Sequence, residues 1–331
     1  MIEVRNLVKD YYGHVAVNDL SFTVDDGEVV GFLGPNGAGK STTMNIITGY
    51  ISATSGQAIV NGFDVFEEPE KAKKSIGYLP EQPPLYPDMK VKEYLNFVAE
   101  LKKVKKSEKA KMIKDIMQLT KIEDVSGRLI KYLSKGYKQR VGLAGAIIGY
   151  PEVLILDEPT VGLDPNQIIE IRELIKSLST KHTILLSSHI MQEVSAVCDK
   201  IIIINNGELV AYDTPARIAK VMEESRELIV TVKAGEASVK RIIATLDGIR
   251  EIEYSAGDNE DETRINIKTE DNCDIREALF FAMANEGLPI IEMKQHEVTL
   301  EEIFLALTKG GSDQNVRRKT IDKLNRGEVD E

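Results

Sequence analysis

The fold is decided by a glycine-rich stretch near the N-terminus, Gly34-Pro35-Asn36-Gly37-Ala38-Gly39-Lys40-Ser41-Thr42. It follows an apolar run and opens a segment, 40–49, with the pattern of a helix, which is the context that the spacing G-x-x-x-x-G-K-[ST] requires. Glycines allow successive backbone N–H groups to face one anion, and the N-terminus of the helix adds a favourable dipole. Lys40 adds a charge for the β- and γ-phosphates of a nucleotide, and the Ser41 hydroxyl can bind Mg²⁺. The stretch, which we call the phosphate loop, therefore predicts a nucleotide site.

The run 153–156 is fully apolar, and 183–186 is apolar after Thr183; both predict central strands of a parallel sheet, because strands that are buried on both faces lack alternation. The first run ends in Asp157-Glu158, and the carboxyl ends of such strands are where ligands bind in open α/β sheets. Asp157 is predicted to help hold Mg²⁺, directly or through water. Glu158 is predicted to act as the general base or to orient the attacking water. The alternative for this pair is an acidic cap after a core strand.

The order of elements indicates an α/β domain over residues 1–219. Apolar runs alternate with turns at its start, and Asp25-Asp26-Gly27 predicts a hairpin that joins strands 15–24 and 28–33. Residues 91–135 have helical periodicity and no strong strand pattern. They predict a helical insertion in this domain.

The character of the sequence changes near Ala219, and a second, smaller domain is predicted over 220–309. From 226 to 294 the pattern gives the order strand, helix, strand, strand, helix, strand, which is that of a ferredoxin-like α+β domain. A last helix is predicted over 300–307. Residues 310–331 are polar with few apolar anchors and are predicted to be disordered.

Composition limits the partners and the compartment of the chain. Its 53 acidic and 42 basic residues give a net charge of −11, which disfavours bulk attraction to nucleic acid or anionic lipid. Cys198 and Cys273 lie far apart and are predicted to be reduced thiols, and the histidines do not cluster as a zinc site would require. The N-terminus has no apolar signal segment, and no apolar run approaches the ~20 residues of a membrane span. We therefore predict a cytoplasmic chain, unless a partner holds it at a membrane.

Several short motifs occur along residues 1–220 in an order that resembles the ATP-binding subunits of ABC transporters. Tyr12 lies where that family has an aromatic ring that stacks on adenine. Gln82, at the end of Gly77-Tyr78-Leu79-Pro80-Glu81-Gln82, matches the glutamine that senses Mg²⁺ and the transmembrane partner. His189, at the end of Ser187-Ser188-His189, matches the switch histidine that contacts the γ-phosphate. Taken alone, each has a simpler alternative: a packed aromatic at a sheet edge, an ordinary loop amide, and a histidine that is a satisfied core or surface residue.

The segment Leu133-Ser134-Lys135-Gly136-Tyr137 resembles the signature of that family with two departures. Lys135 stands where the commonest form has glycine, and Tyr137 where it has glutamine. Ser134 and Gly136 are retained, and the resemblance implies that they place a hydroxyl and a backbone N–H on the γ-phosphate. Ser134 is also a suitable N-cap for the helix that follows. Asp164, in Gly162-Leu163-Asp164, matches the loop that couples two cassettes across their interface.

The resemblance implies an ABC-type P-loop NTPase fold, with a parallel-sheet core, an antiparallel β subdomain and a helical insertion. It implies ATP and Mg²⁺ as ligands, with Ser41, Gln82 and Asp157 at the metal. It also implies a homodimer, in which the signature of one copy covers the nucleotide held by the phosphate loop of the other. The signature variant, together with 298–304, resembles exporter ATPases that serve a separate six-helix permease. Such a permease would hold the chain at the inner face of the membrane, and no nucleic-acid partner is expected.

The sequence leaves two other functions open. The first is a soluble, non-transport ABC ATPase that acts on ribosomes or DNA, although the chain has one phosphate loop and no coiled-coil or zinc insertion. The second is a regulatory module that senses ATP without turnover, and the presence of Glu158 and His189 disfavours it. In the transporter reading, the permease rather than this chain chooses the transported substrate.

Overall fold

The computed structural model describes residues 1–218, 227–257, 259, 261–270, 273–296 and 304. Contacts divide the chain into two compact units, and the change from the first to the second falls between Pro215 and Ala216. The expected boundary at Ala219, the predicted tail 310–331 and, apart from Phe304, the predicted helix 300–307 lie outside the described residues.

Strands and helices alternate along the first unit. Its strands are β1 (Ile2–Tyr11), β2 (His14–Val24), β3 (Val29–Leu33), β4 (Ser55–Val60), β5 (Phe63–Asp64), β6 (Ile76–Leu79), β7 (Val153–Asp157), β8 (Thr183–Ser187), β9 (Lys200–Asn205) and β10 (Glu208–Asp213). Its α-helices are α1 (Lys40–Ile47), α2 (Pro69–Lys74), α3 (Val91–Leu101), α4 (Lys106–Leu119), α5 (Lys135–Ile147), α6 (Pro165–Leu178) and α7 (Met191–Ser195).

The larger sheet of this unit has the strand order β10-β9-β3-β8-β7-β6. Its strands from β9 to β6 are parallel, and β10 pairs with β9 in the antiparallel sense. Every residue of β7 and β8 is buried, which confirms the central parallel strands predicted over 153–156 and 183–186, and β3 is buried in the same way. Phe32 pairs with Ser187, and Ser187 pairs with Asp157, so β3, β8 and β7 end side by side.

The smaller sheet is antiparallel, with the order β2-β1-β4-β5, and it corrects one prediction. The hairpin expected at Asp25-Asp26-Gly27 is wrong, because β2 pairs with β1 while β3 pairs with β8 and β9. The physical reason is that β3 is apolar on both faces and is fully covered only inside the parallel sheet. The hairpin instead turns at Tyr12 and Gly13, whose φ angles are 53° and 96°.

The two sheets and α1 share one hydrophobic core. The rings of Phe22 on β2 and Phe32 on β3 lie 5.6 Å apart, and both side chains are buried. Met44 of α1 is completely buried in the same cluster. Burying one such side chain stabilises a fold by about 1.5–3 kcal/mol, so this core fixes the position at which α1 begins.

The helical insertion is confirmed, and it consists of α3 and α4 followed by two short 3₁₀ turns. It is fastened to α5 by Lys102, whose ammonium donates to the carbonyl oxygens of Ala146 (2.9 Å) and Ile148 (2.8 Å). These carbonyls lie at the C-terminal end of α5, where a cation is favourable. The insertion therefore holds the far end of the helix that begins at the signature.

The second unit contains β11 (Glu227–Val232), α8 (Glu236–Ile243), β12 (Ile249–Ala256), β13 (Thr263–Thr269), α9 (Arg276–Asn285) and β14 (Ile290–His296). Its antiparallel sheet has the order β12-β13-β11-β14, which is the ferredoxin-like arrangement predicted from the sequence. Val230, Ile265 and Leu279 are completely buried between the sheet and the helices.

Two further expectations concern the whole chain. Cys198 and Cys273 are both free thiols, as predicted. Among the helices within the described residues, none combines the length and the apolar character needed to cross a bilayer.

Substitution of Lys102 tests how the insertion is attached. Lys102→Met should lower the free energy of unfolding by about 1 kcal/mol, because the last carbonyls of α5 lose a cationic partner. Urea denaturation would measure this change. Lys111→Met, at an exposed position of α4, is the matched control. Equal stability of the two variants would contradict the role given to Lys102.

Candidate functional site

The phosphate loop joins β3 to α1, and its glycines are required by close contacts. A Cβ on Gly34 would lie 2.6 Å from the carbonyl oxygen of Ile204, and one on Gly39 would lie 2.4 Å from that of Ala16. Gly39 also has a φ of 102°, which other residues rarely adopt. The loop is thus held against β9 and β2, with α1 beginning directly at Lys40.

Lys40 lies over the loop, and only 8% of its surface is exposed. Its ammonium donates to the carbonyl oxygens of Gly34 (2.6 Å) and Pro35 (3.2 Å). Burial lowers the pKa of Lys40, and the negative charges of Glu158 and Asp157 act against this lowering. The phosphate loop and the two carboxylates of Asp157 and Glu158, which we call the acidic pair, therefore form one electrostatic site.

Ser187, at the end of β8, fixes both carboxylate residues at the end of β7. Its hydroxyl donates to Asp157 Oδ1 at 2.5 Å and accepts the backbone N–H of Glu158 at 2.9 Å. Ser187 is completely buried and Asp157 nearly so. One hydroxyl thus uses its donor and its acceptor capacity on two adjacent residues.

Glu158 and His189 form a pair beside this bond. The carboxylate oxygen Oε2 of Glu158 lies 2.8 Å from Nδ1 of His189. Burial raises the pKa of the Glu158 carboxyl, and the hydrogen bond and charge of His189 act against this rise. Glu158 has a φ of 48°, an uncommon conformation for a residue other than glycine. About half of the His189 side chain is exposed, so the pair borders solvent.

Tyr11, the last residue of β1, lies at the phosphate loop, and Tyr12 follows it in the hairpin turn. Tyr11 lines a cavity of about 310 Å³ together with His14 and the loop residues Lys40 and Ser41. Tyr12 does not line this cavity. It is fully exposed at the tip of the β1–β2 hairpin, which also contradicts the alternative of a packed aromatic. Tyr11 pairs with His14 at the end of β1, whereas Tyr12 lies in the turn, and the sequence alone does not fix which of the two enters the turn.

The signature residues pack against Gly162-Leu163-Asp164 of the same chain and the start of α6, which we call the Asp164 loop. Ser134 caps α5 by accepting the backbone N–H of Tyr137 at 3.3 Å, as predicted. A Cβ on Gly136 would meet the Gln167 side chain at 2.5 Å. Asp164 in turn caps α6 by accepting the N–H of Gln167 at 3.0 Å. These contacts place Ser134, Gly136 and Asp164 close together, and we call these three residues the signature group.

The two departures in the signature each make a contact. The side chain of Lys135 lies against Gly162, with its Nζ 2.1 Å from where a Cβ on that glycine would stand. The hydroxyl of Tyr137 donates to Asp124 Oδ2 at 2.8 Å, just before the signature in the chain. Lys135 therefore joins the signature to the Asp164 loop, and Tyr137 joins it to the insertion.

Gln82 and the signature group lie apart from the phosphate loop in the single chain. Gln82 is exposed and lines a different cavity, with Lys135, Lys138 and Val161. In the described part of the chain, no hydrogen bond or ion pair links Ser134, Gly136 or Asp164 to the phosphate loop.

The donors near Lys40 fit a hard divalent cation. Ser41 is exposed at the start of α1, and Asp157 uses only one oxygen on Ser187. Hydroxyl and carboxylate oxygens are the ligands that Mg²⁺ takes, and it commonly completes its shell with water and substrate phosphates. The described residues contain no cluster of three or more His, Cys, Asp or Glu side chains suited to a metal.

A parallel α/β sheet with a phosphate loop after one central strand and an acidic pair after another defines a P-loop nucleotide-binding protein. The family described as ABC transporter matches residues 17–161. The linearmycin resistance ATP-binding protein LnrL of Bacillus subtilis is 31% identical over 309 residues, which are 93% of this chain and 98% of that protein. This chain therefore belongs to the ATP-binding proteins of ABC transporters.

Two further comparisons agree with this assignment. The bacitracin transport ATP-binding protein BcrA of Bacillus licheniformis is 37% identical over 211 residues, 63% of this chain and 68% of that protein. The dimeric structure of MJ0796, a bacterial ABC transporter cassette, matches with a TM-score of 0.59 and 25% identity, over 65% of this chain and 98% of that one. The ABC-type fold is thereby confirmed, and the relatives do not favour a soluble, non-transport ATPase. ATP binding and hydrolysis are general properties of this family.

Proposed function

We propose that this chain is the ATP-hydrolysing subunit of an exporter, in which ATP-driven closure of a homodimer powers a separate membrane permease. The observation that carries this proposal is the Glu158–His189 pair, which lies beside Asp157 and Lys40 at the carboxyl ends of parallel strands. A module that only sensed ATP would not need a largely buried carboxylate aligned with a histidine.

The nucleotide would be held by the chain's own phosphate loop. Backbone N–H groups of the phosphate loop would face its phosphates, Lys40 would exchange its two carbonyl partners for phosphate oxygens, and Tyr11 would stack on adenine in the place expected for Tyr12. Mg²⁺ would be held by Ser41 and Asp157, with Gln82 approaching on closure. When bound, it neutralises charge on the β- and γ-phosphates.

Hydrolysis would proceed by in-line attack of water on the γ-phosphorus. Glu158 accepts a proton from that water or orients it, a bond forms from its oxygen to the γ-phosphorus, and the bond to the bridging oxygen of ADP breaks. His189 holds Glu158 Oε2 in place and contacts the γ-phosphate. The products are ADP, inorganic phosphate and a proton.

A second copy would complete each site. Ser134 and Gly136 of that copy would bind the γ-phosphate, and Asp164 would couple the two sites across the interface. Two observations support this arrangement: the signature group is not joined to the phosphate loop within one chain, and the related MJ0796 cassette is described as dimeric.

The permease proposal rests on the relatives. LnrL is named for linearmycin resistance and BcrA for bacitracin transport, and each is an ATP-binding protein. We infer that this chain likewise serves an exporter from the inner face of the cell membrane. Its net charge of −11 makes contact through a protein partner more favourable than direct binding to anionic lipid or nucleic acid.

Substitution of the two neighbouring tyrosines tests the adenine contact. Tyr11→Ala should weaken ATP binding by about tenfold, because stacking on a base is worth about 1–3 kcal/mol. Tyr12→Ala, at the exposed hairpin tip, is the matched control and should bind ATP like the unmodified chain. Calorimetric titration without Mg²⁺ would measure both affinities while limiting turnover. If Tyr12→Ala alone weakened ATP binding, the adenine contact would belong to Tyr12 instead.

Glu158→Gln tests the hydrolytic step and the dimer together. The variant should retain ATP binding, lose turnover by about 10²-fold or more, and form an ATP-dependent dimer. Phosphate release and size-exclusion chromatography with light scattering would measure these properties. Lys40→Ala should form no such dimer, because it lacks the charge on the phosphates. Hydrolysis by the Gln variant at the rate of the unmodified chain would disprove the assigned base.

The transport partner can be tested in native membranes. The tagged full chain should co-purify from detergent-solubilised membranes with a polytopic membrane protein, because the coupling proposed here needs a permease. Mass spectrometry would identify that protein, and an unrelated tagged protein of similar charge would serve as the control. Recovery of ribosomes or DNA instead would support the soluble ATPase.

A further inference from the structure

A buried glutamate outside the quoted motifs lies directly behind the Glu158–His189 pair. Glu193, on α7, is 6% exposed. Its Oε2 accepts hydrogen bonds from the hydroxyl of Thr160 and, at 3.4 Å, from that of Ser188. Both hydroxyl residues are also buried. A single carboxylate oxygen thus joins the segment that follows β7 to the segment that follows β8.

Packing alone does not account for this glutamate. Among the described residues, the Glu193 carboxylate forms no ion pair with a lysine, arginine or histidine, and the donors that meet its Oε2 are two hydroxyls. Burying a carboxylate without a cation is costly, and an apolar residue on the same face of α7 would avoid that cost. The arrangement is understandable if the two hydrogen bonds serve the neighbouring site.

Thr160 and Ser188 lie close in the chain to Glu158 and His189, respectively. Thr160 lies two residues after Glu158, and its carbonyl oxygen accepts the N–H of Leu163 in the loop that leads to Asp164. Ser188 directly precedes His189 and accepts the N–H of Ile190 at 3.1 Å, so the backbone is held on both sides of the histidine. Glu193 therefore holds the segment after Glu158 and the segment around His189 relative to each other.

Glu158 needs such support because of its backbone. Its φ of 48° costs on the order of 1–3 kcal/mol and persists only when the surroundings enforce it. The Ser187 hydroxyl accepts the backbone N–H of Glu158, and Nδ1 of His189 contacts the Glu158 carboxylate. The bond from Thr160 to Glu193 restrains the chain on the other side of Glu158.

We propose that Glu193 is a positioning residue for ATP hydrolysis, which keeps Glu158 and His189 aligned through Thr160 and Ser188. This inference rests on the proposed roles of Glu158 and His189. Glu193 itself contacts neither nucleotide nor water in the reaction. It acts by fixing the geometry of two side chains from different strands, and a misplacement of about 1 Å at such a site lowers rates by about 10²-fold.

Three variants of the full chain test this role by steady-state kinetics with Mg²⁺ and ATP. Glu193→Ala should lower kcat by about 10- to 100-fold with little change in KM, because the phosphate loop is untouched. Glu193→Gln should recover most of the rate, since its amide oxygen can accept the same hydroxyls. Glu173→Ala, at an exposed position of α6, is the matched control and should hydrolyse ATP normally.

A double-mutant cycle with His189→Ala separates positioning from general stabilisation. If Glu193 acts through the pair, Glu193→Ala should cost much less in the His189→Ala background than in the unmodified chain. If Glu193 only stabilised the fold, the fold-losses in kcat of the two single variants would multiply in the double variant. If Glu193→Ala does not fold, Thr160→Val removes one of the two bonds at constant shape, and it should give a smaller loss in kcat.

The outcomes distinguish this inference from the function on which it rests. An unmodified rate in Glu193→Ala, or in Thr160→Val where it substitutes for that variant, overturns the positioning role, as does a multiplicative cycle. Full activity of Glu158→Gln would instead overturn the proposed hydrolytic site. ATP-dependent dimer formation by the Glu158→Gln, Glu193→Ala double variant should persist, and its loss would show that Glu193 supports nucleotide binding.

Discussion

The site depends on three parallel strands that end at the same level. Phe32, Ser187 and Asp157 are neighbours across β3, β8 and β7, so the segments that follow these strands begin side by side. A parallel sheet provides this alignment because its hydrogen bonds fix the register of each pair of strands. The phosphate loop, Asp157 with Glu158, and His189 come from distant parts of the sequence, and the sheet brings them together. The Ser187 hydroxyl then completes the alignment at atomic scale.

The sequence predicted the parts of the molecule whose signals are local. The phosphate loop, the apolar strands before Asp157 and Ser187, and the order of elements in the second unit are each written in consecutive residues. The hairpin at Asp25-Asp26-Gly27 was wrong for a related reason. A turn sequence shows that the chain reverses or bends, but the pairing of its two flanking strands depends on distant residues that compete for them. Here β2 pairs with β1, and β3 lies in the parallel sheet between β9 and β8.

Several contacts around the site depend on tertiary structure. Tyr11 and Tyr12 are adjacent aromatics, and the point at which the β1–β2 hairpin turns decides which of them lines the cavity. Ser187 was part of a quoted motif, but nothing local reveals that its hydroxyl bonds two residues of β7. Glu193 resembles an ordinary polar residue of a short helix until Thr160 and Ser188 are placed around it. Long-range polar contacts of this kind have no periodic signature.

The backbone of Glu158 has a consequence for how this protein can change over time. A left-handed conformation at a residue with a side chain is a standing cost in folded stability, and glycine at the same position would remove much of it. With Glu158 as the proposed base, selection for a more stable fold and selection for turnover oppose each other at this one residue. Variants that drift towards greater robustness would tend to lose activity here first, and a compensating gain would have to come from elsewhere in the core.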